Sequence, residues 1–143
     1  MATTAESSDS CSWLDGAVRL IDLPKFDDVR GRLVPFDFEK LPFLPARLFT
    51  VSGVRVGAVR GCHALVDQQQ LLVCLIGTVD VEVRRRGENE LITLDRPDVG
   101  LLIDKGVWSS QRFTVEGSIL LGLASGKYDP DGYQTEVPGV TVE

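Results

Sequence analysis

The chain has 143 residues, of which 43% are hydrophobic and 25% are charged, and its formal net charge at pH 7 is -6. This length and composition predict one soluble globular domain and exclude general disorder. The acidic balance argues against nucleic-acid binding, because a phosphate backbone is usually bound by a basic patch.

The first residues have neither the apolar run of a secretory signal nor the basic residues of a transit peptide. No later run approaches the ~18 consecutive apolar residues that a membrane-spanning helix needs. We therefore expect a flexible tail over residues 1–16, a folded domain over 17–136 and a C-terminal tail over 137–143. The chain is predicted to be cytoplasmic and to bind no membrane.

Short β-branched or alternating runs recur along the chain with turn residues between them, and no window of ~12 residues keeps a helical period. This pattern predicts an all-β protein with a short turn near residues 39–41. The predicted strands are 18–21, 32–37, 46–51, 58–62, 71–76, 79–84, 90–94, 99–103, 108–113 and 118–124.

Two neighbouring predicted strands differ in their apolar pattern. Residues 79–84 alternate strictly between apolar and charged side chains, so one face of this strand should be buried and the other wet. Residues 71–76 do not alternate, which predicts that this strand is covered on both faces.

About ten short strands in one domain fit either a Greek-key sandwich or a jelly-roll barrel. Arg60, His63 and Gln70 cluster where the central strands begin. This placement favours a barrel that is open at one end, where inward-facing polar side chains converge on a cavity for a small ligand.

His63 is the only histidine, and its side chain is the natural candidate for proton transfer near neutral pH. The alternative is a structural histidine that is hydrogen-bonded at a strand end. A single histidine cannot supply a triad of two histidines and a carboxylate, and the three cysteines form no CxxC pair, so we predict no metal. No phosphate-cradling glycine motif is present, and no cofactor is predicted.

Eight segments of the chain, taken in order, form a recognisable pattern: residues 28–33, 41–43, 46–49, 60–64, 70–77, 92–101, 107–108 and 123–129. This pattern resembles the sugar 3,4-ketoisomerases, small cupin-fold proteins that act on dTDP-4-keto-6-deoxyglucose. The resemblance covers about residues 18 to 135. It implies a cupin-type jelly-roll barrel in a homodimer, with a dTDP-sugar in the barrel mouth.

The resemblance also implies a reaction in which the ketone moves from C4 to C3 of the hexose through an enediol-like intermediate, with His63 as acid and base. Arg60 stands where the family has a pocket arginine that could hold the diphosphate, although a structural ion pair is the alternative. We expect His63 and Tyr128 to be catalytic. The expected substrate-binding residues are Arg47, Arg60, Leu65, Gln70, Trp108, Ser109 and Tyr133.

The chain departs from the family signature Arg-Gly-x-His-Ala-His-Lys at several positions. Leu65 and Val66 stand in place of the second histidine and the lysine, Gln69 replaces a carboxylate, and Ser109 replaces the histidine after the tryptophan. Because residues i and i+2 of a strand share a face, the two family histidines would enter the pocket side by side, and Leu65 cannot transfer a proton.

Three hypotheses therefore remain open. The protein is a ketoisomerase or related tautomerase in which His63 acts with help from Tyr128, Tyr133 or water. It is instead a nucleotide-sugar-binding partner protein without turnover. As a third possibility, it is a cupin adapted to cyclise or isomerise a non-sugar ligand. The nucleotide-sugar hypotheses are favoured if Arg47 and Arg60 both point into the cavity, and disfavoured if both are held outside in ion pairs.

Overall fold

The computed structural model describes residues 11–137, and nearly all regular structure in this range is β-strand. Two single-turn 3-10 helices occupy Phe38–Lys40 and Pro130–Gly132. The all-β prediction is confirmed. The strands are β1 (Ser12–Trp13), β2 (Val18–Asp22), β3 (Phe26–Asp28), β4 (Gly31–Leu33), β5 (Arg47–Val51), β6 (Val59–Leu65), β7 (Gln70–Ile76), β8 (Val79–Arg85), β9 (Glu88–Leu94), β10 (Val99–Ile103), β11 (Trp108–Phe113), β12 (Ile119–Ala124) and β13 (Tyr133–Gln134).

Two antiparallel sheets form the jelly roll. One has the order β1-β2-β10-β7-β12-β5 and the other the order β13-β6-β11-β8-β9. Their inner faces pack against each other, because the main core cluster takes Leu72 and Leu101 from the first sheet and Val81 and Phe113 from the second. Strands β3 and β4 form a separate two-stranded hairpin.

Nine of the ten predicted strands are present within a few residues of their expected bounds. The exception is 32–37, where the strand ends at Leu33 and Pro35 follows, a residue that cannot donate to a sheet ladder. Strands β1, β3 and β13 were not predicted, because two or three residues are too few to show a period of two.

The expected N-terminal tail is partly folded. Strand β1 pairs with β2, and Leu14 is buried in the core. Packing therefore begins before residue 17, while residues 1–10 and 138–143 lie outside the described range.

Strand β7 is covered on both faces, as predicted. Leu72 and Cys74 belong to the core between the sheets, whereas Leu71 belongs to a second cluster on the outer face. Phe36 and Phe43, from the irregular segment after β4, pack on that outer cluster. The predicted alternation in β8 is also confirmed, since Val79, Val81 and Val83 are fully buried.

Within residues 11–137, no helix is long and apolar enough to cross a membrane.

A buried carboxylate ties the β3–β4 hairpin to the barrel. Asp98 is only 4% exposed, and both of its oxygens accept hydrogen bonds from Arg96, at 2.9 and 2.7 Å. Lys25, just before the hairpin, lies 3.1 Å from the same carboxylate, and Arg32 of β4 lies 3.7 Å from it. These partners, above all the Arg96 guanidinium, hold the pKa of Asp98 well below its ordinary value of 3.8.

We expect Asp98→Asn to lower the free energy of unfolding at pH 7 by about 1–3 kcal/mol, because the carboxylate's charged hydrogen bonds are lost. A carboxyl group whose pKa is lower in the folded state than in the unfolded state stabilises the fold at pH values above its unfolded-state pKa. This stabilisation is lost as the pH falls toward the folded-state pKa. The stability gap between wild type and variant should therefore shrink as pH falls below about 4, as measured by urea unfolding at several pH values. Asp95→Asn, at an exposed neighbouring carboxylate, is the control. An equal gap at pH 7 and pH 3 would contradict this account.

Candidate active site

A cavity of about 280 Å³ lies among the side chains of five strands. Its lining combines apolar and polar side chains. Among its polar lining residues, Gln70 and Gln111 are the most buried, at 5% and 8% exposure, whereas Arg60 is exposed to solvent. The lining residues are Arg47, Phe49, Val51, Arg60, Gly61, His63, Leu65, Gln70, Gln111 and Tyr133.

A β-bulge in β6 brings Arg60 and His63 to the same face. His63 pairs with Ser109 of β11, but the next pair is Gly61 with Ser110, so Cys62 has no partner on that strand. Residues three apart on a regular strand point to opposite faces. The bulge inserts one extra residue between Arg60 and His63, so their side chains point to the same face.

The backbone at the bulge explains the glycine in this motif. Both Gly61 and Cys62 have positive φ, at 85° and 63°. A Cβ on Gly61 would also approach the side-chain oxygen of Gln111 to 2.8 Å. Cys62 is exposed and does not line the cavity.

The imidazole of His63 is half buried beside an aromatic ring. The edge of Tyr133 meets it with ring centroids 4.6 Å apart and planes at 79°. Its Nδ1 is buried and has no hydrogen-bond partner among the described residues. Burial lowers the pKa of His63 below its ordinary value of 6.5, so the ring is neutral at pH 7.

Arg47, from edge strand β5, is held inside the cavity by hydrogen bonds. Its Nη1 donates to the hydroxyl of Tyr133 at 3.1 Å, and its Nη2 donates to Oε1 of Gln68 at 3.2 Å. Gln68 is held in turn by donating to the carbonyl of Lys127 at 2.9 Å. The Nε of Arg47 is buried without a partner among residues 11–137, so this donor is unused there.

Arg60 lines the same cavity without being neutralised. In the described part of the chain it makes no ion pair and no side-chain hydrogen bond. Arg47 likewise has no carboxylate partner there. Both guanidinium groups thus line the cavity and neither is held outside it in an ion pair within residues 11–137, which favours an anionic ligand such as a diphosphate.

Six of the nine predicted site residues line the cavity, and three do not. Tyr128 is 64% exposed and contacts Tyr133 from outside, with ring centroids 6.0 Å apart. Trp108 lies on the other face of β11, donates from Nε1 to the carbonyl of Thr135 and packs under Arg84. Ser109 faces inward but is fully buried below the cavity surface. The six residues are Arg47, Arg60, His63, Leu65, Gln70 and Tyr133.

Three further side chains line the cavity but were not predicted: Phe49, Val51 and Gln111. The signal was available, because Phe49 and Val51 follow Arg47 at a period of two in a predicted strand. Gln111 follows Ser109 in the same way on β11.

No group of three or more His, Cys, Asp or Glu side chains in residues 11–137 is arranged to hold a metal ion.

Comparison with known proteins gives one family and a consistent set of relatives. The model of the family described as FdtA (WxcM-like, C-terminal) matches residues 16–138. The chain is 33% identical over 116 residues to the TDP-4-oxo-6-deoxy-alpha-D-glucose-3,4-oxoisomerase of Aneurinibacillus thermoaerophilus, a match that covers 80% of this chain and 84% of the relative.

Solved structures show the same fold. QdtA, a sugar 3,4-ketoisomerase from Thermoanaerobacterium thermosaccharolyticum solved in complex with TDP, is 33% identical with a TM-score of 0.81, and the match covers 84% of this chain and 88% of that one. The WlaRB TDP-quinovose 3,4-ketoisomerase of Campylobacter jejuni is 31% identical with a TM-score of 0.79, over 83% and 92% of the two chains. The predicted cupin-type jelly roll is thereby confirmed.

Proposed function

The chain belongs to the FdtA (WxcM-like, C-terminal) family, and we propose that it is a dTDP-4-keto-6-deoxyhexose 3,4-ketoisomerase of deoxysugar biosynthesis. The observation that carries the proposal is the neutral imidazole of His63 in a cavity that also contains two guanidinium groups free of carboxylate partners. A cytoplasmic location, where nucleotide sugars are made, is part of the proposal.

His63 is the base and acid of this proposed reaction. A ketone at C4 acidifies the proton on C3, and a neutral imidazole can remove it and later return it to C4. Since C3 and C4 are adjacent, one ring can reach both carbons. The buried Nδ1 leaves Nε2 as the ring nitrogen available to the sugar.

The rest of the cavity suits the other parts of a dTDP-sugar. Arg60, exposed at the cavity edge and unpaired within residues 11–137, is placed to hold the diphosphate. The buried amides of Gln70 and Gln111 can bond sugar hydroxyls. The apolar wall of Phe49, Val51 and Leu65 suits the methyl group at C6 of a 6-deoxyhexose.

The decisive experiment is incubation with dTDP-4-keto-6-deoxyglucose in deuterated water, followed by NMR at C3 and C4. We expect deuterium exchange and a 3-keto product, and we expect His63→Asn to lower the rate by about 10²–10⁴-fold, the usual contribution of a general base. Cys62→Ser, at the exposed neighbouring thiol outside the cavity, is the matched control and should keep the wild-type rate.

Three other outcomes would decide against this proposal. Binding of the dTDP-sugar without exchange at C3 would identify a non-catalytic nucleotide-sugar-binding protein. Neither binding nor exchange would identify a cupin adapted to a non-sugar ligand. Full activity in His63→Asn would exclude the proposed base.

We expect Arg60→Gln to weaken TDP binding by about tenfold to a hundredfold, since hydrogen bonds to charged groups contribute about 1.5–3 kcal/mol. Titration calorimetry at two salt concentrations measures this loss and should show a weaker salt dependence in the variant. Arg86→Gln removes the same charge from the exposed turn between β8 and β9 and serves as the control. Equal affinities for the two variants would remove Arg60 from the diphosphate site.

We also propose that the protein is a homodimer and that the β3–β4 hairpin contributes to the interface. A two-stranded hairpin is only marginally stable alone, and this one has apolar residues that residues 11–137 leave uncovered. Phe26 and Leu33 are each 62% exposed, and Val29 at the turn is fully exposed. A second copy of the chain would bury them.

The double variant Val29→Glu with Leu33→Glu should therefore be monomeric, because charges would replace apolar groups in the interface. Sedimentation equilibrium should give the mass of two chains for the wild type and of one chain for the variant. Leu91→Glu, at an equally exposed leucine of edge strand β9, should remain dimeric. A monomeric wild type, or dissociation of the Leu91 variant alone, would rule out this interface.

A further inference from the structure

We propose that Tyr133 is the second proton-transfer group of the active site, and that Arg47 is its positioning residue. The inference rests on the proposed ketoisomerase function. It concerns the step that His63 cannot perform alone, which is proton transfer at the two sugar oxygens.

Strand pairing places Tyr133 beside Leu65, a side chain that cannot transfer a proton. Tyr133 of β13 is the cross-strand partner of Leu65 in β6, two residues after His63. Directly opposed residues of an antiparallel pair share a face, with Cβ atoms about 5 Å apart. The phenol therefore lies on the inner face with His63 and lines the cavity, while Leu65 offers only apolar surface.

The hydroxyl of Tyr133 is oriented by a fixed cation. It accepts a hydrogen bond from Arg47, so a lone pair is used and the O–H proton remains free for a ligand oxygen. Arg47 itself is held by Gln68 and by the rings of Phe49 and Tyr128, at 5.8 and 5.9 Å from its guanidinium carbon. A guanidinium in this position also stabilises a phenolate.

The tyrosine completes a balanced isomerisation with His63. In the first half, His63 takes the proton from C3 and the hydroxyl of Tyr133 gives its proton to the carbonyl oxygen on C4. The C3–H electron pair becomes the C3–C4 double bond, and an enediol forms with an imidazolium and a phenolate.

In the second half, the hydroxyl on C3 returns a proton to the phenolate and the imidazolium protonates C4. The C3 ketone forms, and both side chains recover their starting states. The two sugar oxygens are on adjacent carbons, so one phenol can serve both, as one imidazole serves both carbons.

Tyr133→Phe is the first test, because it removes only the hydroxyl. We expect kcat for isomerisation to fall by about 10²–10⁴-fold, with KM, TDP affinity and the urea unfolding midpoint close to wild type. Thr93→Val removes an exposed hydroxyl of β9 that lies outside the cavity, so it should retain wild-type kcat. A variant Tyr133→Phe with wild-type kcat would overturn the proposal.

A second test distinguishes proton transfer by Tyr133 from a purely structural role of this residue. It has two tyrosines, so Tyr128→Phe leaves Tyr133 as the only one. Incorporation of 3,5-difluorotyrosine into that variant then changes Tyr133 alone and makes its phenol more acidic. Since the phenol must be protonated to act as an acid, the alkaline limb of the kcat profile should move to lower pH. An unmoved limb would overturn the proposal.

The proposed function and the proposed role of Tyr133 are contradicted by different results. A wild-type protein that neither exchanges nor isomerises the dTDP-sugar overturns the proposed function, and the role of Tyr133 with it. An active wild type combined with an equally active Tyr133→Phe variant overturns the role of Tyr133 alone.

Discussion

The β-bulge at Gly61 and Cys62 is the constraint on which the candidate site depends. It lets Arg60 and His63, three residues apart, face the same cavity, where a regular strand would place one of them outside the barrel. The bulge needs two consecutive residues with positive φ, one of them a glycine. The placement of Arg60 and His63 is thus coupled to a local backbone conformation.

The polar groups that line the cavity differ in their exposure to solvent. The positive charge of Arg60 is at the solvent side, where a diphosphate can approach without losing all its water. The half-buried imidazole is deeper, where desolvation favours the neutral form that can act as a base. The apolar side chains of Phe49, Val51 and Leu65 also line this cavity.

Much of the fold could be predicted from the chain alone. The alternation in β8 and its absence in β7 gave the correct burial of both strands, because side chains of a strand alternate between faces wherever the ladder is regular. The prediction was wrong over 32–37, where Pro35 interrupts the pattern, and silent about the short strands β1, β3 and β13. Strands of two or three residues are too short to show a period of two, so only their pairing in the folded chain identifies them.

The candidate site, like the fold, could be predicted from the sequence only in part. The sequence by itself determined the proton-transfer candidate, His63, and the family, since both depend on residue identity and order. Tertiary structure alone decided that Arg47 bonds Tyr133, 86 positions away, and that Tyr133 rather than Tyr128 enters the cavity. Both outcomes depend on β13 pairing with β6, a long-range contact that leaves no period in the sequence.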